Sequence, residues 1–260
     1  GKADEAAGRT FEVLLNEPHC DVCTTADKDF LGANSRIQSR MVSLIDSAQA
    51  SVDVAQFTFS RKPIEQALKD AHSRGVRVRV TMDKGQDKSG SVATRLKDAG
   101  LDVVFVQGNQ PANENGHAGL QHAKYMIVDG NILATGSNNW SSTGISFNEE
   151  NTIVVNGGQD DPLIAAFQCH WNAMRESNLQ GATACNTGAV RFSPGAGPRK
   201  LIRDEIRAAE RSIDVLMHHL TFGSLVKELR KAAERGVRVR LIVNAADRAE
   251  HMKGEFKALI

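Results

Sequence analysis

His122 and Lys124 stand two residues apart, immediately before an apolar run, Tyr125-Met126-Ile127-Val128. On an extended chain, residues two apart face the same side, so an imidazole and an ammonium group are presented together. Ser137 and Asn139 repeat that spacing after a second apolar run, Ile132-Leu133-Ala134-Thr135, and the acidic Glu150 follows. The two runs read as buried strands joined by Asp129-Gly130-Asn131, whose Asp-Gly pair is a strong hairpin-turn signal. A histidine, a lysine, a hydroxyl and an amide are therefore expected at one end of one hairpin. The histidine can serve as nucleophile or base, the lysine as fixed positive charge, and the hydroxyl and amide as neutral donors. That set suits the handling of a phosphate group.

The same stretch resembles the phospholipase D superfamily. The family motif is His-x-Lys, four residues, Asp, matched here by His122, Lys124 and Asp129. Its Gly-Ser-x-Asn block is matched by Gly136-Ser137-Asn138-Asn139, and its downstream acid by Glu150. A lone His-x-Lys is common, whereas all three blocks at this spacing on one hairpin are specific. The bland alternative, an exposed His and Lys at a strand start with Asp129 serving its turn, accounts for Asp129. It does not account for Ser137, Asn139 and Glu150 together.

The resemblance implies a phosphodiesterase that works through a covalent phosphohistidine, with no metal and no cofactor. Its catalytic set would be His122, Lys124, Asp129 and Glu150. His122 would attack phosphorus, or protonate the leaving oxygen if its partner attacks. Lys124, with Ser137 and Asn139, would bind the substrate phosphate, and Glu150 would hydrogen-bond the far ring nitrogen of a histidine and fix its tautomer. Asp129 carries the motif's acid, yet its place in the turn, several residues from His122, points to a structural part.

These residues need elements to hold them. Apolar residues recur at helical spacing from Ser35 to Ala48, and Ser51 to Phe59 reads as a buried strand. Pro63 opens a helix that Gly75 ends, and Val76 to Met82 forms a strand with valines on one face and Arg77 and Arg79 on the other. A helix over Ser91 to Ala99, a strand over Asp102 to Gln107, the hairpin, a strand over Asn151 to Asn156 and a helix begun by Asp161-Pro162 complete the series. Phe11 to Leu15 is a further strand candidate. Strands alternating with helices predict an α/β fold: a phospholipase D-like mixed sheet flanked by helices.

The chain then repeats. Ser51-Val52-Asp53-Val54 returns as Ser212-Ile213-Asp214-Val215, and Arg74-Gly75-Val76-Arg77 as Arg235-Gly236-Val237-Arg238. Both pairs are 161 residues apart (212 minus 51, and 235 minus 74). The expected organisation is an N-terminal extension over 1–30, a first lobe with the complete motif over 31–178, a linker over 179–190, and the start of a second, incomplete lobe over 191–260. The counterpart of His122 would fall near position 283 (122 plus 161), beyond Ile260. The expectation is that a second motif comes from a continuation of the chain or from another chain. His218 and His219 are expected in the second copy's first strand, opposite Phe57 and Thr58, as possible lining of a pocket or as ordinary surface.

Composition is that of a folded chain: 41% hydrophobic, 24% charged, net charge +1. No apolar run approaches the roughly 20 residues of a membrane-spanning helix. No leader is visible, and the chain starts at Gly1, compatible with one having been removed. The four cysteines are Cys20, Cys23, Cys169 and Cys185. They are compatible with two disulfides and an extracytoplasmic (secreted or periplasmic) setting, with free thiols as the alternative; Cys20-x-x-Cys23 alone is a weak zinc or redox signal. His117 lies in an Asn/Gly-rich loop before the motif and reads as solvent-exposed. The substrate stays open at this stage. Phospholipid head-group cleavage leads, with transfer to an alcohol acceptor chemically close to it. A nuclease using Lys62, Arg77, Arg79, Lys84 and Lys88 on nucleic-acid phosphates is the second reading, and a non-catalytic phosphate- or lipid-binding module the third.

Overall fold

Ser35 caps the first helix through its side chain, which accepts the N–H of Gln38, and Ile37, Met41, Leu44 and Ile45 recur at the spacing that buries one helical face. Local rules of this kind build the computed structural model of the chain, which describes residues 8–16, 35–108, 119–177, 181–188, 190–195, 197–220 and 222–244. The chain divides into two units, Gly1–Val190 and Arg191–Ile260.

In the first unit the order is β1 (Thr10–Asn16), α1 (Arg36–Ser47), β2 (Ser51–Gln56), α2 (Lys62–Ser73), β3 (Arg77–Asp83), α3 (Val92–Asp98), β4 (Asp102–Val106), β5 (Tyr125–Val128), β6 (Ile132–Gly136), α4 (Ser142–Ser146), β7 (Glu150–Asn156) and α5 (Pro162–Arg175). The seven strands form one mixed sheet, ordered β1-β7-β6-β5-β2-β3-β4. β2, β3 and β4 run parallel, and the remaining neighbours are antiparallel. Helix boundaries follow local chemistry. Pro63 sits in the first turn of α2, and Gly75 at φ 89° lets the N–H of Val76 return to the Ala71 carbonyl, which ends the helix. Asp161 caps α5 by accepting from Leu163 and Ile164, and is itself held by a two-point ion pair with Arg9.

Period-two alternation sorts the strand residues into two cores. Val52, Val54, Met126 and Val128 pack under α1, α2 and α3 with Ile37, Met41, Ile64, Leu68 and Leu96. Ala55, Tyr125, Ile127 and Leu133 pack on the other face against Ile164, Trp171 and Met174 of α5. Each fully buried aliphatic side chain contributes on the order of 1.5–3 kcal/mol, so the sheet has helices on both faces, as expected. Cys169 of α5 is bonded to Cys185, with their Cα atoms 5.6 Å apart, which ties the 3₁₀ turn Gly181–Cys185 to the first unit. That turn lies inside the segment expected to be a linker. Likewise β1 is not part of a separate extension: it pairs with β7 from Thr10↔Asn156 to Asn16↔Glu150 and forms the sheet's edge. Cys20, Cys23 and His117 lie outside the described residues.

The second unit contains α6 (Gly197–Ala208), β8 (Ser212–Met217), α7 (Gly223–Glu234) and β9 (Arg238–Val243), with Ile206, Leu225, Leu229, Ala232 and Val237 as its core. The repeat extends to its bonding. Ser51 pairs with Arg77 and Ser212 with Arg238 in parallel register. Arg79 makes a two-point bond to Asp53, and Arg240 to Asp214. Arg74 donates to the carbonyls of Ile45 and Asp46, and Arg235 to those of Ile206 and Arg207. His218 and His219 fall just past the end of β8 rather than within it, their rings 3.8 Å apart between centroids.

Candidate active site

The hairpin β5–β6 presents the expected residues. Its turn has both Asp129 (φ 49°) and Gly130 (φ 69°) in the left-handed region, as an Asp-Gly hairpin turn requires. His122 and Lys124 lie on the extended approach to β5, at the opposite end of the strand from the turn. Lys124 is 8% exposed, and its Nζ donates to the His122 carbonyl at 2.7 Å. Phe57, just beyond β2, holds the two side chains together: its ring centroid is 4.6 Å from that of His122 and 5.3 Å from Lys124 Nζ. The imidazole and the ammonium group thus converge on one aromatic ring. A small cavity at Lys124 is lined also by Gln56, Asn138, Thr152, Met41 and Trp140, among others. The buried side-chain oxygens of Gln56 and Asn138 have no hydrogen-bond partner among the described residues.

The electrostatics favour a neutral histidine beside a hard-pressed cation. Burial pushes the His122 pKa down, the Lys124 charge pushes it further, and the Asp83 carboxylate opposes them. Burial lowers Lys124 from its ordinary value to about 8, with Glu150 pulling the other way. Lys124 therefore stays mostly charged at neutral pH while remaining poorly solvated, which makes an incoming phosphate oxyanion a favourable partner.

The remaining residues are placed as follows. Glu150 opens β7; its Oε1 accepts from Asn148 at 3.1 Å. Its charge acts on Lys124, and among the described residues no hydrogen bond joins it to the His122 ring. Ser137 is exposed, and its Oγ accepts the N–H of Asn151 at 3.0 Å. Asn139 is half-buried, and its Oδ1 has no partner among the described residues. Between the strands, Gly136 is required because a Cβ there would collide with the Asn151 carbonyl.

Asp129 lies in the turn, at the opposite end of β5 from His122. Its carboxylate accepts from the N–H groups of Gln49 (2.9 Å), Ala50 (2.8 Å) and Ser51 (2.7 Å), fastening the entry to β2. Burial raises its pKa, but these three bonds outweigh burial and hold it below the usual carboxylate value. Arg79 is bonded to Asp53 and lies 4.3 Å above the Trp171 ring. Arg77 begins β3, at the far end of that strand from the site. Lys62, Lys84 and Lys88 are exposed, and lie after the carboxyl ends of β2 and β3.

Phe57 and Asp83 are the site residues that motif reasoning missed. Neither belongs to a spaced pattern; their only sequence signal is position at the carboxyl end of a predicted parallel strand, where open α/β sheets gather ligand sites.

The family described as cardiolipin synthase, PLD-like domain, matches residues 41–174 and 202–259. Mitochondrial cardiolipin hydrolase of Xenopus tropicalis is 35% identical over 131 residues, covering 50% of this chain and 57% of that protein. The human protein of that name is 35% identical over 130 residues, covering 50% and 47%. The chain spans about half the length of these curated relatives. Among solved structures, NucT from Helicobacter pylori matches with a TM-score of 0.50 at 24% identity, covering 65% of this chain and 98% of that one. Phosphatidylserine synthase of Haemophilus influenzae matches with a TM-score of 0.57 at 10% identity, covering 80% and 59%. The fold is shared with both, and the family match extends over most of the chain and both of its units. The chain belongs to the phospholipase D superfamily.

Proposed function

We propose that this chain is a phosphodiester hydrolase of the phospholipase D type that releases head groups from phospholipids. The observation that carries the reading is the convergence of the His122 ring and the Lys124 ammonium on Phe57, at the open end of β5. In this reading a ring nitrogen of neutral His122 attacks phosphorus, a P–N bond forms, and the P–O bond to the leaving alcohol breaks. The departing oxygen takes a proton from a partner histidine, supplied by a second motif outside this chain or on another chain. Water then gives a proton to the partner histidine and attacks phosphorus, a P–O bond forms and the P–N bond breaks, returning the imidazole and releasing the phosphate monoester. Lys124 balances charge on the non-bridging oxygens, and Glu150 holds Lys124 protonated at working pH.

The cardiolipin hydrolase relatives favour a lipid substrate. A second reading, cleavage of nucleic acid, is favoured by exposed Lys62, Lys84 and Lys88 beyond the strand ends that border the site. The test is turnover of cardiolipin, phosphatidylcholine, and single- and double-stranded DNA by the full chain and by its His122→Ala variant, with chelator present. Head-group release lost in the variant supports the lipid reading. DNA cleavage with a steep salt dependence replaces it with the nuclease reading. Turnover unchanged in the variant removes His122 from the reaction.

A further inference from the structure

We propose that Asp83 is a positioning residue for His122, its carboxylate clamping the peptide through which the chain enters the site. Asp83 ends β3 and is 4% exposed. Its Oδ2 accepts the N–H of Gln121 at 2.8 Å, and its Oδ1 accepts the N–H of Gly85 at 2.8 Å. Gln121 immediately precedes His122 and is itself 4% exposed. The His122 ring has no hydrogen bond among the described residues, and its recorded ring contact is with Phe57. Its direction is therefore set by where the backbone is held, by Lys124 at the His122 carbonyl and by Asp83 at the preceding Gln121 N–H.

A buried carboxylate is costly unless its oxygens are hydrogen-bonded, and bonds from N–H groups to a charged acceptor are about twice as strong as neutral ones. The clamp also has an electrostatic side. Among the described residues the charged groups that act on His122 are Lys124, which disfavours its protonated form, and Asp83, which favours it. Glu150 acts on Lys124, and Lys84, next to Asp83, is exposed. Asp83 lies outside all three motif blocks, so this role goes beyond the proposed function, on which only its activity arm rests.

The test compares Asp83→Asn and Asp83→Ala with the unchanged full chain. The second copy carries Asn244 at the corresponding position, so this strand end accepts an amide. Two readouts are independent of substrate: hydrogen exchange at the Gln121 amide, and the titration midpoint of the His122 ring by NMR. In Asp83→Ala the Gln121 amide is expected to exchange about tenfold faster, the loss of one buried hydrogen bond, and the His122 midpoint to fall. In Asp83→Asn the midpoint is expected to fall as far, with smaller loss of exchange protection, since the amide oxygen still accepts. In both variants kcat is expected to drop more than KM changes. Unchanged Gln121 exchange and an unchanged His122 midpoint in either folded variant overturn the proposal. The expected NMR changes in a protein that turns over no phosphodiester uphold the clamp and reject the proposed function instead.

Discussion

Lys124 is expected to cost the fold stability, and its replacement by Met should show how much. Burial lowers its pKa from an ordinary 10.5 to about 8, a depression worth about 3 kcal/mol between folded and unfolded states. Lys124→Met removes that cost but forfeits the bond from Nζ to the His122 carbonyl, a net loss of about 1 kcal/mol. The variant should therefore be about 2 kcal/mol more stable at pH 7, or about 4–8 °C higher in Tm for a unit of this size. The sign follows from linkage. The folded pKa lies below the unfolded one, so the cost is present in full below pH 8 and shrinks as pH rises from 8 toward 10.5, where the unfolded chain also loses its proton. The stability gap between variant and parent should close over that window. Reversible denaturant unfolding of both proteins at pH 7 and pH 10 measures it. A Lys124→Met protein less stable than its parent at pH 7, or a gap that does not change with pH, refutes the reasoning. The same variant should lose nearly all phosphodiesterase activity, since stability gained at a site is commonly matched by lost function.

The pH profile of kcat/KM should turn down above about pH 8 as Lys124 loses its proton, and Glu150→Gln should move that limb to lower pH; a flat profile to pH 10 contradicts the assignment. Cys169→Ser with Cys185→Ser opens a bridge between residues 16 apart, which should cost about 3 kcal/mol in denaturant unfolding of the first unit. His170 is 4% exposed, bonded through Nδ1 to the Tyr125 hydroxyl, and pushed by burial to about 4. Its folded pKa lies below its unfolded one, so stability should fall as pH drops from about 6.5 toward 4, and His170→Phe should flatten that decline in a pH series of thermal melts.

Sequence reading carried furthest where chemistry is local. Asp129-Gly130 fixes its turn through backbone conformations that the two residues permit, and Ser35, Pro63 and Asp161 start their helices by capping rules that need no tertiary context. His122 and Lys124 share a side because extended chain alternates. Which residues β7 brings near the hairpin depends on its place in the sheet, with β6 between it and β5, which spacing along the chain does not encode. Phe57, Asp83 and Arg79 were opaque for the same reason. Each acquires its role from a residue distant in sequence, namely His122, Gln121 and Trp171. The edge strand β1 was legible as a strand but not as part of the sheet, since its partner β7 follows it by more than a hundred residues.

The three backbone groups gathered by Asp129 act as a datum for the whole hairpin. They lock the start of β2 against the end of β5, from Val52↔Val128 to Ala55↔Tyr125. Both strands are then measured out from that fixed mark until the rings of Phe57 and His122 meet at the other extremity. A slip of one step at the mark would carry the aromatic ring to the opposite side of the sheet. The aspartate at the turn thus governs alignment at the opposite end of the strands, as the zero of a ruler governs every graduation on it.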